Sequence, residues 1–209
     1  MELIEKLNWR YATKKFDSNK TISEQDLDTL KEAVRLSVSS YGLQLYKVLI
    51  ITDKTIREQL KPASWNQSQI TEASHLFVFC NYTDVKPEDI DDFISLTANT
   101  RGIEIDNLKG YGDFIKEKLN EKSEMEKTSW LKSQTYIALS NLINACAELK
   151  IDACPMEGFE AERYNDILDL KSKGLSAAVI ATVGYRHEDD RTQGAPKVRK
   201  PSNILFEEI

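Results

Sequence analysis

The sequence predicts an α+β fold in one domain, and three observations carry that reading. Apolar runs of strand length occur at 46–51, 76–80 and 177–183. Between them, apolar residues recur at helical spacing, with turn-forming residues at the junctions. No internal repeat or Gly/Pro/Ser-rich linker interrupts the 209 residues, which hold only 8 Gly and 5 Pro, so residues 1–209 are expected to fold as a single domain.

The first helix is predicted over residues 3–10, burying Leu3, Ile4, Leu7 and Trp9. Ser23, with Asp26 three residues on, is a variant of the capping box and starts a second helix, in which Leu27, Leu30 and Val34 form one stripe. That helix is expected to end near Ser37. The run Val48–Ile51 inside 46–51 reads as a strand covered on both faces. Asp53 caps a short helix through Leu60, residues 62–67 form a loop, and 76–80 is a second buried strand. Residues 84–87 open a helix with Ile90, Phe93 and Ile94 on one side. Residues 99–112 are irregular and Gly-punctuated, as expected of a mobile segment over a site.

A long helical region follows over 113–150, broken near 121–129. In 134–149 apolar and small residues surround the helix (Ile137, Leu139, Leu142, Ile143, Cys146), so it is expected to be buried on every side and to serve a subunit interface as well as the core. Tyr136 and Cys146 read as core, and Trp65 and Trp130 as packing residues, with Trp65, beside Asn66, also a candidate for the border of the site. A helix over 160–170 and the strand 177–183 complete the regular part. The polar tail ends in Ile204-Leu205-Phe206, expected to add to a sheet edge of its own subunit or a partner's.

Composition narrows the class. The segment 1–6 lacks the basic start and apolar run of a signal peptide, and no apolar stretch approaches the roughly 20 residues needed to span a bilayer. Cys80, Cys146 and Cys154 are an odd count in apolar settings, pointing to a reducing cytoplasm. His75 and His187 lie far apart, outside any ligand motif, so no metal site is expected. The chain is acidic, 34 Asp+Glu against 28 Lys+Arg, which disfavours nucleic acid as a partner. Against that balance, Arg10, Lys14 and Lys15 near the start and Lys197, Arg199 and Lys200 near the end form local basic clusters. They read either as solvated surface charge or as the grip on one small anion such as a phosphate.

The joint pattern resolves that choice. Arg10-Tyr11-Ala12-Thr13-Lys14-Lys15-Phe16, Ser39-Ser40 with Gln44, Asn66, Cys154-Pro155-Met156-Glu157-Gly158-Phe159 and Lys197-Val198-Arg199 occur in one order. Together they resemble the nitroreductase family of FMN-dependent NAD(P)H oxidoreductases, closest to its oxygen-insensitive nitroreductase and dihydropteridine reductase branch. The resemblance implies a sandwich with a mixed, largely antiparallel sheet flanked by helices, in an intertwined homodimer. A C-terminal segment of about 195–209 would be exchanged between subunits.

It also implies FMN as cofactor and NADH or NADPH as reductant. Hydride would pass by a ping-pong route through flavin N5 to quinones, nitroaromatics or similar flat electrophiles. By the same resemblance, Arg10, Lys197 and Arg199 hold the phosphate, and Tyr11 and Ala12 offer backbone contacts. Lys14 and Asn66 meet the pyrimidine edge, and Pro155 and Met156 pack on one ring face. The backbone of Glu157 and Gly158 addresses N5, leaving no side chain as catalyst. Ser39, Ser40 and Gln44 come from the second subunit.

Several positions depart from the family pattern. Ala12 replaces a frequent Ser, Gly42 an Asn, Leu45-Tyr46 a Pro-Trp, and Gln69 a frequent Lys, while Tyr41 is bulky where small residues are common. These departures leave room for two rivals: a non-catalytic flavin-binding protein of the same fold, or a specialised flavin-consuming or dehalogenating branch.

Overall fold

The computed structural model describes residues 2–209. Four strands, β1 (Tyr46–Ile51), β2 (His75–Tyr82), β3 (Asp152–Met156) and β4 (Leu175–Gly184), form one sheet in the order β1-β2-β4-β3. Every pairing in it is antiparallel, not mixed as expected. The parallel element shrinks to one isolated bridge, Ala12 to Ala153, where the N-terminal segment runs beside β3.

Alternation along the central strands creates two cores. Phe77 and Phe79 of β2 and Val179, Ala181 and Val183 of β4 face one side. There they meet Leu27, Leu30 and Val34 of α2 (Glu24–Arg35), which follows α1 (Glu2–Trp9). Leu76, Val78 and Cys80 face the other side, against Leu60 of α3 (Lys54–Leu60) and Ile70 of α4 (Gln69–Glu72). A register shift opposite Phe79/Cys80 leaves Ala178 unpaired, a bulge that sharpens the twist of β4.

The remaining helices are α5 (Pro87–Arg101), α6 (Lys109–Asn120), α7 (Glu124–Glu148), α8 (Ala161–Ile167) and α9 (Ser202–Leu205). Helix α7 crosses the sheet on the α2 side, placing Ala138, Leu139, Leu142 and Cys146 in that core. Tyr164 of α8 is fully buried on the opposite side. A smaller cluster, Ile90, Ile94, Ile115 and Leu119, joins α5 to α6.

Local signals explain most boundaries. The Ser23 hydroxyl accepts from the Asp26 N–H at 3.1 Å, and the Asp53 carboxylate caps α3 through the Ile56 N–H at 2.9 Å. Four expectations are corrected. Strand β1 is an edge strand and only half-buried, because a single neighbour covers it. Strand β3 was hidden by Pro155, which an edge strand accommodates because it needs no N–H there.

Residues 99–112 form no irregular segment. A left-handed Gly102 ends α5, and a short turn leads straight into α6. Leu3 and Ile4 stay exposed, and the face of α7 carrying Ile137, Ser140 and Asn144 is open rather than buried. Of the two edges expected for Ile204, Leu205 and Phe206, that of their own chain is not used among the described residues, and a partner's stays an expectation. The three residues lie exposed on and beside α9.

Candidate functional site

A cavity of 370 Å³ opens where the C-terminal end of β3 meets the middle of α7. Pro155, Met156 and Glu157 form one wall, Tyr136 and Ile143 another, and Arg10 closes one end. The wall is rigid for reasons visible in the chain. β3 pairs with β4 through Met156 and Ile180, and beyond it the backbone is tied to the loop after α3. Glu160 N–H donates to Ala63 O at 2.8 Å, and the Gln67 side-chain amide donates to Gly158 O at 2.9 Å.

Gly158 is dictated by this contact, since a Cβ there would sit 2.8 Å from Cζ3 of Trp65. Trp65 is exposed and lies against Gly158, the residue after the cavity's Glu157, so of its two expected roles it does not take that of packing in a core. It and Asn66 both adopt left-handed backbone, φ 55°. Asn66 is exposed on this loop, between Trp65 and Gln67, the two residues that meet Gly158.

The basic ends converge as well. Lys197 Nζ donates to the carbonyl of Arg10, laying the tail over the N-terminal segment. Burial, then the charge of Arg199, pulls the Arg10 pKa down. Burial followed by Arg10, Arg199 and Arg186 does the same for Lys197. Neither they nor Arg199 form an ion pair among the described residues, and Arg10 Nε is buried without a partner. A buried donor left unpaired is costly, and at this corner it stands beside two further cations with no ion-pair partner among the described residues.

The other predicted residues divide into two groups. Lys14 is exposed and its Nζ lies 4.0 Å from the buried Cys154 Sγ, placing it one residue from the cavity wall. Tyr11 donates to Asp190 at 3.1 Å, and Ala12 bridges to β3. Ser39, Ser40 and Gln44 line no part of the cavity in this chain. The Ser40 N–H donates to Gln134 of α7 at 2.8 Å, the Gln44 N–H to the Ser39 hydroxyl at 3.0 Å, and the Gln44 amide to Arg35 O at 2.9 Å.

Among the departures, Tyr41 takes a left-handed φ of 57° and packs near Phe114 and Trp130. Gln69 is buried, and burial raises the pKa of the Cys154 thiol.

Sequence reasoning missed three participants. Tyr136 read as core from its apolar neighbours, yet it lines the cavity and donates to Glu157 Oε1 at 2.5 Å. Its hydroxyl is pushed up to about 12 by burial and by that carboxylate. Asp190 and Arg186 lie in the charged stretch 186–191, where nothing distinguishes a buried group from a solvated one, and Asp152 is a lone carboxylate among apolar neighbours whose partner is 34 residues away. Among the described residues no group of three or more His, Cys, Asp or Glu could hold a metal, and no helix is long and apolar enough to cross a membrane.

Comparison with known proteins matches this architecture. The model of the nitroreductase family matches residues 7–185. A Staphylococcus haemolyticus protein named as an NAD(P)H nitroreductase is 32% identical over 226 residues, covering 99% of this chain and 97% of that one. The major NAD(P)H-flavin oxidoreductase of Aliivibrio fischeri is 32% identical over 214 residues, covering 99% and 96%.

Among solved structures, a Bacillus subtilis protein named as a nitroreductase superposes with a TM-score of 0.89 at 21% identity, covering 100% of this chain and 99% of that one. One from Exiguobacterium sibiricum, named likewise and solved in complex with FMN, superposes at 0.85 with 18% identity, covering 100% and 98%. These structural likenesses establish the fold, and the sequence matches establish more. The chain belongs to the nitroreductase family, an enzyme family of NAD(P)H nitroreductases and NAD(P)H-flavin oxidoreductases.

Proposed function

We propose that this chain is an FMN-dependent NAD(P)H oxidoreductase of the nitroreductase type, reducing quinones, nitroaromatics or similar flat electrophiles in the cytoplasm as a homodimer. The observation that carries the reading is the buried, unpartnered Arg10 Nε beside Lys197, at the end of a cavity walled by Pro155–Glu157. The residues fit FMN. Arg10, Lys197 and Arg199 supply cations to a phosphate dianion with no carboxylate to compete. Pro155 and Met156 give an apolar wall for the ring. Lys14 and Asn66 would meet its pyrimidine edge, and the Glu157–Gly158 backbone would address N5.

When bound, FMN would supply the redox chemistry, accepting hydride from NAD(P)H and returning it to the acceptor. The chain's own part is to bind, orient and position charge. A site that admits NAD(P)H and acceptor in turn gives ping-pong kinetics. The second copy would complete it with Ser39, Ser40 and Gln44, and residues 195–209 would cross between subunits. Support for that partner is the apolar surface one chain leaves open, at Leu3, Ile4, Ile137, Ile204, Leu205 and Phe206.

The test is direct. Purified protein should carry about one FMN per chain, the single-site stoichiometry of a bound cofactor, and anaerobic NADH or NADPH should bleach it. Bound flavin that neither nucleotide bleaches selects the non-catalytic rival. Protein that takes up no flavin refutes the reading altogether.

A further inference from the structure

Asp190 stands outside the cavity yet holds both halves of its anion grip. Its side chain is 3% exposed and accepts five hydrogen bonds, divided between its oxygens by origin. Oδ2 takes the N-terminal segment: the Tyr11 hydroxyl at 3.1 Å, the Lys14 N–H at 2.8 Å and the Lys15 N–H at 3.1 Å. Oδ1 takes the start of the tail, the Thr192 N–H at 2.9 Å and the Thr192 hydroxyl at 2.7 Å. One carboxylate thus pins the residues that follow Arg10 to the residues that lead to Lys197.

An anchor is needed there because the grip does not assemble itself. The three cations repel one another: Arg199 lowers the pKa of Arg10, and Arg10 and Arg199 both lower that of Lys197, each after the effect of burial. The contacts of Asp190 go to Tyr11, Lys14, Lys15 and Thr192, and none goes to Arg10, Lys197 or Arg199. Asp190 acts through geometry. Burial alone would raise its pKa, but the Thr192 contacts and the Lys14 and Lys15 N–H groups hold it down at about 2. The latch therefore stays ionised across the physiological range. The His187 N–H to Lys15 O bond at 3.0 Å and the Asp17 N–H to Tyr185 O bond at 2.8 Å extend the seam on either side.

We propose that Asp190 is a positioning residue for phosphate recognition, clamping the N-terminal segment to the tail so that Arg10 and Lys197 meet one phosphate. The inference rests on the FMN reading above. Flavin is stripped from the protein, and the apoprotein is titrated with FMN and with riboflavin, which has the same ring and no phosphate, following flavin fluorescence. Wild type should prefer FMN. Asp190→Asn should weaken FMN by about tenfold, as for loss of a charge-assisted network, while riboflavin binding stays within about twofold, the scatter of a neutral change. Arg10→Met serves as reference and should cut the same preference.

A merely structural role would weaken both flavins equally, and that outcome, or an unchanged preference, overturns the proposal. If Asp190→Asn does not fold, Thr192→Val removes one hydroxyl contact to Oδ1 and should reduce the preference in the same direction. A preference that Thr192→Val leaves intact then overturns the proposal. Wild type that binds neither flavin, or both equally, sinks the cofactor reading and this inference with it, whereas a normal wild type with an indifferent Asp190→Asn sinks the inference alone.

Discussion

Replacing Arg186 by Ala should be among the most destabilising single changes in this protein. Asp152 is 4% exposed, at the start of β3. Its carboxylate receives the Arg186 guanidinium twice over, Nη2 at 2.6 Å and Nε at 2.9 Å on Oδ1, along with the Arg186 N–H at 2.8 Å on Oδ2. The guanidinium also stacks against two rings, 4.4 Å from the Trp9 centroid and 4.6 Å from that of Tyr11. Truncation leaves a buried carboxylate with one backbone N–H and the Thr13 hydroxyl at 3.4 Å.

Breaking such a buried pair costs about 3–5 kcal/mol, and each lost stacking contact adds about 0.5–1 kcal/mol. The terms overlap, so about 4 kcal/mol is expected, and at a urea slope of roughly 2 kcal/mol/M the midpoint falls by about 2 M. Equilibrium urea unfolding at one fixed protein concentration measures it. The Asp152→Asn/Arg186→Met double variant, which removes both charges, should recover much of the loss. A cost below about 1 kcal/mol for Arg186→Ala, at unchanged slope, would refute the assignment of this pair as a buried, mutually dependent contact.

Other outcomes follow from the same geometry. Asp190 is held at about 2 in the folded protein against an ordinary carboxylate value near 3.8, so its contribution is complete above about pH 4 and lost as pH falls through about 2. Thermal unfolding from pH 5 to pH 2 should show wild type losing about 2 kcal/mol that Asp190→Asn never had. Leu142→Ala empties a fully buried position between α7 and the sheet and should cost about 2–5 kcal/mol in urea unfolding. Arg10→Met should weaken FMN retention by about 1.5–3 kcal/mol. Arg199→Ala should cost less than Arg10→Met, because Arg199 is exposed and bonded to Val198 O; an equal loss in ultrafiltration assays would contradict that ranking.

Elements with an uninterrupted local signal were legible in the sequence. The Val48–Ile51 run, the Leu76–Cys80 run and the Ser23 and Asp53 caps all lie where their neighbours alone would put them. Strand β3 was not, since a five-residue strand containing Pro155 looks like a loop until β4 is beside it. The break before α7 carried an unread signal, Ser123 with Glu126, a capping box whose Ser123 N–H to Glu126 bond is 2.8 Å. The cavity's own residues, Arg10, Pro155, Met156 and Glu157, were legible through their motifs. Tyr136 and Asp190 were not, because their roles depend on partners 21 and 179 residues away, Glu157 and Tyr11. The exposure of Leu3 and Ile4 on α1 was not legible, because a hydrophobic pattern names what must be covered without naming the cover.

The contact between Lys197 and the Arg10 carbonyl joins residues 187 positions apart. During translation, the sheet and its helices can close before residues 197–199 are available, but the proposed phosphate corner cannot. Synthesis therefore orders the events: scaffold first, ligand corner last. A tail clipped by a protease would leave a folded body with an incompetent mouth.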